Sequence, residues 1–505
     1  MTGDVWEQAR SRIGAADLHG KMMSEDEAAS MIRPNMIIAC SGFTPCGYPK
    51  AIPKALVRRS QEAGEHISSI ALWTGASVGD ELDGALSRAG LLSRRMPYQS
   101  NPYTREAINS GAIDYVDVHL SHVAQQIRYG FWGKPDIAII EAAAITDEGY
   151  LIPTTSVGNS PTFAKVADTV LVELNVKQPI DLYGLHDIYV PEDPPFRKTI
   201  PIYHPKDRIG TPWIKVEKKK IAAIVPTEIP DESKRLINNN EIIKKVSENL
   251  LNFIDSEIEA GRIPRALLPI QAGVGSIANA VLEGFSYSTY AGLLFYTEVI
   301  QDSMVRLIEQ GKAEFASGCS LTLSQDLSKS CLRDLSYWKK HLVLRPQEIT
   351  NNPEVIRRLG VISINAALEV DIYGNVNSTH VFGSNIMNGI GGSGDFARNA
   401  YLSIFVMPST AKEGNVSTIV PMVSHVDHTE HDVHVIVTDV GVADLRGLSP
   451  RERAAMIINR CAHPSYRSLL HDYYCRALHT SGGHTPHLLK EVFSWYLRLT
   501  GRDVQ

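Results

Sequence analysis

The sequence predicts an α/β protein with largely parallel sheets, divided between two tandem domains. Three observations carry that expectation. The chain has 505 residues, too many for a single hydrophobic core. Apolar, β-branched runs alternate with segments of helical period along its length, the pattern of strand–helix–strand units. A weak internal repeat is also present. "AAITDEGYLIPTTSVGNSPTFAKVAD" and "AALEVDIYGNVNSTHVFGSNIMNGIGGSGDFARNA" end in Phe163-Ala164-Lys165 and Phe396-Ala397-Arg398, each followed by an apolar run. Gly149 and Gly374 lie 225 residues apart and the two phenylalanines 233, so the second copy carries eight extra residues, in its glycine-rich stretch.

The elements follow in order. "PDIAIIEAAAI" (135–145), "ADTVLVEL" (167–174), "IAAIV" (221–225), "LLFYTEV" (293–299) and "HVIVTDV" (434–440) read as buried strands. "GSIANAVLEGF" (275–285) and "DSMVRLIEQG" (302–311) read as helices, the latter with Met304, Leu307 and Ile308 on one face and Gly311 as its stop. Residues 190–235 are proline-rich and aperiodic, which suits a segment joining domains, with the second core starting near residue 226.

Composition excludes several classes. There are 50 basic and 56 acidic residues, a net charge of −6. The densest basic cluster, "KVEKKK" at 215–220, suits a solvated face better than a nucleic-acid surface. No apolar run approaches the roughly 20 residues that span a bilayer, and the first residues hold no apolar signal core. Cys40, Cys46, Cys319, Cys331, Cys461 and Cys475 lack C-x-x-C spacing and read as reduced thiols of a cytoplasmic protein.

Four stretches could carry chemistry. Glu298 follows strand-forming residues and precedes a helix, placing a carboxylate near the carboxyl end of a strand, where open α/β sheets hold ligands. Such a carboxylate is costly to bury unless it is paired or used; a solvated strand-end Glu is the plain alternative. "PIQAGVGSIANAV" is a strand, a glycine turn at Gly273 and Gly275, and a helix. It can admit a ligand to the backbone, but no P-loop lysine follows it. "HVDHTEHDVH" spaces His425, His428, His431 and His434 three apart. A strand follows and the spacing does not align imidazoles there, so a hydrogen-bonded polar loop is expected rather than a metal site. "GIGGSGDF" (389–396) contains the dinucleotide spacing G-x-G-x-x-G but is expected to feed a strand, Tyr401 to Val406, which is the wrong context for a dinucleotide. No G-x-S-x-G elbow occurs.

Taken together, "GNVNSTHVFGSNIMNGIGGSGDFARNAYLSIF", "STIVPMVSHVDHTEHDVHVIVTDVGVADLRGLSPRERA" and "SGFTPCGYPKAIPKAL" resemble the acetyl-CoA hydrolase/transferase family. Within it they are most similar to the bacterial class I CoA-transferases acting between succinyl-CoA and acetate. The similarity runs from about residue 25 to "GGHTPHLL" near 490. It implies two tandem CoA-transferase-type α/β domains, residues 1–225 and 226–505, the second carrying a catalytic glutamate. It also implies a cytoplasmic homodimer acting on acyl-CoA and short-chain carboxylates, with no membrane or nucleic-acid partner. By resemblance Glu298 is the nucleophile, while Asn351 and Gly392 are donors to oxyanions. Ile270, Gln271, Ala272, Gly273 and Val274 line coenzyme A, as do Leu368, Asn388, Gly392 and Lys412. Ser77 in "TGAS" falls near the small carboxylate. The family reads V-T-E where this chain has Val437-Thr438-Asp439, and an arginine expected after Pro230-Asp231 is missing; both bear on acid preference.

The resemblance also supplies a reason for the glycines. A carboxylate attacking a thioester makes a tetrahedral oxyanion, which needs backbone N–H donors at close range, and glycine leaves the backbone unshielded. The expected activity is CoA transfer between succinyl-CoA and acetate through a glutamyl-CoA thioester on Glu298. Coenzyme A is then a substrate, and neither metal nor other cofactor is required. Acetyl-CoA hydrolysis, or transfer to propionate or 4-hydroxybutyrate, is the alternative within the family. A CoA-binding protein without turnover and a nicotinamide dehydrogenase are the alternatives outside it.

Overall fold

The computed structural model describes residues 2–62, 69–232 and 241–500. It divides into two compact units. The first comprises Met1–Arg235 with two later pieces, Phe295–Asp302 and Phe315–Val355; the second comprises Leu236–Leu294, Ser303–Glu314 and Ile356–Gln505. This differs from a linear division at 225/226, and it puts Glu298 in the first unit. The reason is long-range pairing. Val157 N–H donates to the Cys319 carbonyl, Leu321 N–H to Thr155, Gln347 N–H to Gly158 and Asp187 N–H to Leu344.

The first unit is built on β1 (Ile37–Cys40), β2 (Ile70–Trp73), β3 (Leu92–Met96), β4 (Asp114–Tyr115), β5 (Ile137–Ile145), β6 (Leu151–Pro153), β7 (Thr169–Asn175) and β8 (Ile221–Thr227). The order is β4-β3-β2-β1-β5-β7-β8, every pair parallel, with β6 antiparallel on β5. All nine residues of β5 are buried, eight of them apolar and the ninth Glu141, as a strand in a sheet covered on both faces should be. Strand order reverses between β1 and β5, and in open parallel sheets ligands sit at the carboxyl ends of the strands flanking such a switch. The residues that leave β1 are Ser41 to Lys50, the "SGFTPCGYPK" motif.

In the second unit β9 (Ile270–Ala272) pairs in parallel with Ile362–Ala366, that strand with Leu402–Val406, and that one with Val435–Val437; Val442–Asp444 closes the edge antiparallel. β10 (Leu293–Tyr296), which begins in this unit, lies on the other side of β9. Chain order therefore reverses between β9 and the 362–366 strand, so "IQAGV" leaves the sheet at a second switch point. Val370, Tyr373, Phe405, Ile436, Ile457 and Leu470 belong to the core beneath it. Helix Pro450–Arg460 opens with a capping box, Ser449 with Glu452.

One expectation is corrected here. "GIGGSGDF" feeds a helix, Ser393–Asn399, and the strand begins only at Leu402. A seven-residue helix holding a glycine and few buried apolar side chains shows no readable period, and that glycine lowers its helix propensity. The dinucleotide arrangement still lacks its strand. Upstream lies Asn385–Ile386, a two-residue piece paired antiparallel with His380–Val381, not a buried parallel strand. The internal repeat is reproduced in backbone detail. Gly158 (φ +54°) and Gly391 (φ +60°) both turn left-handed. Asn159 and Gly392 are the respective N-caps of Ser160–Val166 and Ser393–Asn399. Ser160 Oγ donates to the Val157 carbonyl at 2.6 Å, and Ser393 Oγ to that of Ile390 at 2.8 Å.

Candidate active site

Glu298 sits two residues beyond β10, where the apolar strand "LLFY" ends. Its backbone is held on both sides. Thr297 N–H donates to Ser317 O at 2.9 Å, and the Glu298 carbonyl accepts from Cys319 N–H at 2.6 Å and Ser320 N–H at 3.2 Å. Val299–Ile300 then pairs in parallel with Ser320–Leu321. The half-buried side chain projects to Asn351, whose Nδ2 donates to Oε1 at 2.7 Å.

Asn351 is fully buried and caps the short helix Gln347–Thr350. Thr350 Oγ1 donates to Asn351 Oδ1 at 2.9 Å. That bond occupies the oxygen end of the carboxamide, so the NH₂ end is the one aimed at the carboxylate. Tyr296 Oη donates to the Ile349 carbonyl at 2.6 Å, fixing the helix to the strand that carries Glu298.

The groups around this carboxylate stay neutral. Burial pushes the Tyr98 phenol up to about 12; its hydrogen bond with Ser100 opposes this and the Glu298 charge adds to it. Burial likewise raises the Cys319 thiol, against the Gly158 N–H and again with the Glu298 charge. The phenol and the thiol that feel the Glu298 charge thus add no counter-charge to it, and the Asn351 carboxamide binds it as a neutral donor. Ser77 lies in the same unit, fully buried, its carbonyl bound by Arg95 Nη2 at 2.7 Å. Its hydroxyl has no hydrogen-bond partner among the described residues.

The remaining residues expected at the site belong to the second unit. In "IQAGV", Ile270 and Ala272 are buried sheet residues and Val274 is 50% exposed. Gln271 and Asn365 form a reciprocal carboxamide pair, 3.1 and 3.2 Å, across the switch point. Gly273 N–H donates to Ile364 O at 2.9 Å, and Gly275, at φ +138°, opens the helix Ser276–Tyr287. Leu368 is half-buried, its N–H donating to Asn377 O at 2.9 Å. Asn388 Nδ2 donates to Ser378 O at 3.1 Å and to Gly389 O at 2.9 Å. Gly392 has φ −93° and offers no side chain to the first-turn N–H groups of the helix it caps. Lys412 is exposed in the turn between Thr410–Ala411 and Val416–Ser417, its ammonium 4.8 Å from the Phe382 ring. Asp439 accepts from Ser409 N–H at 2.6 Å and Ser409 Oγ at 3.1 Å. Its carboxylate thus closes the loop that leads to Lys412.

The four spaced imidazoles take different partners. His425 Nε2 is 3.4 Å from Asp427, with its ring 3.9 Å from that of His380. His428 Nε2 meets Ser393 Oγ at 3.1 Å. His431 Nδ1 lies 3.3 Å from Thr429 Oγ1 on the surface. His434 Nδ1 accepts from Ser403 N–H at 3.2 Å, and burial lowers its pKa, with Arg446 and Arg453 adding to that.

Sequence reasoning missed a buried charge cluster at the first switch point. Glu141 and Glu173 are register partners on β5 and β7, both buried. Glu173 accepts from the N–H groups of Lys50, Ala51 and Ile52 at 2.7, 3.1 and 2.7 Å, capping the helix Ala51–Glu62. Lys50 Nζ lies 2.6 Å from Glu141 and 3.0 Å from Asp231. Asp231 also binds Gly47 N–H at 3.0 Å. The signal was present: a glutamate inside each of two apolar strands demands a partner.

Residues 8–226 match the acetyl-CoA hydrolase/transferase N-terminal domain, and residues 330–474 match the C-terminal domain. The chain is 53% identical over 487 residues to a succinyl-CoA:acetate CoA-transferase of Clostridium kluyveri, covering 96% of this chain and 90% of that one. The chain belongs to the acetyl-CoA hydrolase/transferase family. A propanoyl-CoA:succinate CoA transferase of Escherichia coli, in the same comparison, is 48% identical over 94% of this chain and 97% of its own. Among solved structures, a 4-hydroxybutyrate CoA-transferase of Porphyromonas gingivalis superposes with a TM-score of 0.62 at 21% identity, over 90% of this chain and 98% of that one. At that identity it speaks to the fold, which is the two-domain α/β fold with largely parallel sheets expected from the sequence. Among the described residues no helix is long and apolar enough to cross a membrane.

Proposed function

We propose that this protein transfers CoA between succinyl-CoA and acetate through a glutamyl-CoA thioester on Glu298. The observation that supports it best is the carboxylate of Glu298, half-buried at a strand end and held at 2.7 Å by the buried Asn351 carboxamide. A strand-end glutamate with a merely solvated role needs no such partner. The two similar CoA-transferases, one for succinyl-CoA with acetate and one for propanoyl-CoA with succinate, support the substrate class.

In this reading a Glu298 oxygen attacks the acyl-CoA carbonyl, and the C–S bond breaks to leave an acyl-glutamyl anhydride and CoA thiolate. The thiolate attacks the glutamyl carbonyl and expels the first carboxylic acid as its carboxylate, leaving CoA as a thioester on Glu298. An incoming carboxylate reverses both steps. Asn351 Nδ2–H and the Gly392 N–H are assigned as donors to the oxyanions. Residues Ile270 to Val274, Leu368, Asn388 and Lys412 are assigned to coenzyme A, while the unpartnered Ser77 hydroxyl is assigned to the small acid. The thioester is conserved in each exchange, so the steps need neither metal nor redox cofactor. A cytoplasmic homodimer belongs to the same reading.

Two measurements test it. Incubation with succinyl-CoA followed by peptide mass analysis should find CoA esterified to Glu298, and Glu298→Ala should lack both adduct and transfer. Initial rates with succinyl-CoA and acetate should give parallel double-reciprocal lines, because the first acid leaves before the second enters. Substantial transfer by Glu298→Ala would remove the covalent route. Release of free CoA that no carboxylate accelerates would make the protein a hydrolase instead.

A further inference from the structure

We propose that His428 is a positioning residue for the glycine-rich loop, tying its two ends together so that the Gly392 N–H is presented in a fixed direction. The inference rests on the CoA-transfer reading and adds a role for the histidine motif.

His428 is 2% exposed. Its backbone is anchored twice to Val376, whose N–H donates to His428 O at 2.8 Å and whose carbonyl accepts His428 N–H at 3.1 Å. The Nε2 atom stands 3.1 Å from Ser393 Oγ and 3.5 Å from Ser378 Oγ. Each hydroxyl has a second partner that can only accept, Ile390 O at 2.8 Å from Ser393 Oγ and Asp427 Oδ2 at 3.3 Å from Ser378 Oγ, which assigns the hydroxyl hydrogens to those bonds. Two oxygens presenting lone pairs to one ring nitrogen require that nitrogen to carry the hydrogen. His428 therefore donates from Nε2, chiefly to Ser393.

These serines bracket the loop. Ser393 follows Gly392 directly and begins the helix, while the Ser378 carbonyl accepts from Asn388, the residue before Gly389. Asp427 secures the same end, accepting from Ser378 N–H at 2.6 Å and from Thr379 Oγ1 at 2.9 Å. The internal repeat shows what is additional. In the first unit Ser160 makes the same bond to the i−3 carbonyl with no imidazole on it among the described residues, and an asparagine stands where the second unit has Gly392. Neither N-cap makes a side-chain hydrogen bond to its helix, so the serine turn shapes the backbone in both copies, and the imidazole is what the second copy adds. A donor displaced by even 1 Å at a reacting centre can cost about 10²-fold in rate.

The test uses the full-length protein and steady-state kinetics with succinyl-CoA and acetate. His428→Leu should lower kcat about tenfold or more while KM for succinyl-CoA changes less than about twofold. His428→Gln, which can return an amide N–H near the Nε2 position, should regain most of the loss. Ser393→Ala removes the acceptor together with the serine's own bond to the Ile390 carbonyl, and should show a kcat loss at least as large that is not additive with His428→Leu. Wild-type kcat in Ser393→Ala would overturn the inference, as would equal effects of His428→Leu on kcat and KM, or no recovery with Gln. These outcomes leave the CoA-transfer reading in place. Wild-type protein that exchanges CoA with no carboxylate sinks that reading first, and the inference with it.

Discussion

Asn351 Nδ2 donates to Glu298 Oε1 at 2.7 Å, across 53 residues of sequence, from a side chain with no exposed surface. A bond of this kind holds the carboxylate in one rotamer. Asn351→Ala should reduce kcat by about 10²–10³, the usual effect of losing one preorganised donor. Asn351→Asp should be no better, since an ionised carboxylate cannot donate and repels Glu298. A single-turnover rate within about threefold of wild type for either variant would remove Asn351 from the mechanism.

Adjacent glycines in the loop should respond differently to alanine. Gly391 has φ +60°, where an L side chain is strained, while Gly392 has φ −93°, which alanine adopts freely. Gly391→Ala should lower thermal stability by about 1–2 kcal/mol. Gly392→Ala keeps the N–H but sets a Cβ beside it, so it should keep its melting temperature and lose more in kcat than in CoA affinity, by up to the about 10²–10³ that loss of one such donor costs. A Gly392→Ala enzyme with normal kcat would make the loop a fold element only.

Lys50 is the counter-charge to a cluster of carboxylates. It is fully buried, with Glu141 at 2.6 Å and Asp231 at 3.0 Å. Lys50→Met should destabilise the protein by about 3–5 kcal/mol, because it strands buried charge. Adding Glu141→Gln should recover at least about 1 kcal/mol, as the neutral amide no longer needs the ammonium. Urea midpoints of the single and double variants measure this, and equal stability of the two would contradict it.

Acid stability of the second unit should depend on Glu257. Its carboxylate binds Arg446 at 2.8 and 2.8 Å and Arg262 at 2.9 and 2.6 Å. The Arg446 hydrogen bonds first, against burial and with help from Arg262, hold it down to about 2. A folded value below the unfolded one stabilises fully above the unfolded carboxylate range. That stabilisation is lost as pH falls from about 5 towards 2. Solvent screening at Arg262, which is 51% exposed, leaves about 1–2 kcal/mol. Glu257→Gln should lose that amount at pH 7 and show a flatter stability profile between pH 5 and 2. An unchanged acid profile would assign the acid sensitivity to other groups.

Local pattern was enough to find the strands, though those expected at 293–299 and 434–440 are shorter, Leu293–Tyr296 and Val435–Val437, and Glu298 lies just past the first of them. β5, β7 and β8 are mostly apolar runs, with Glu141 and Glu173 the charged exceptions, and such runs bury as strands wherever they are placed. The internal repeat was legible because each copy keeps its turn glycine, its serine and its phenylalanine. The partner of Glu298 was not legible from spacing, since a carboxamide 53 residues away is brought close only by the pairing of Val299–Ile300 with Ser320–Leu321 and the Tyr296–Ile349 bond. The helix after Gly392 was likewise hidden, because it is short and its stability comes from burying Phe396 and Ala397 rather than from propensity. Tertiary structure also decided that Glu298 belongs with the first unit, and that Asp439 is bound to Ser409 and His428 to Ser393. Periodicity reports which face a residue shows to the core of its own element; hydrogen bonds between distant loops depend on strand order, which no local pattern encodes.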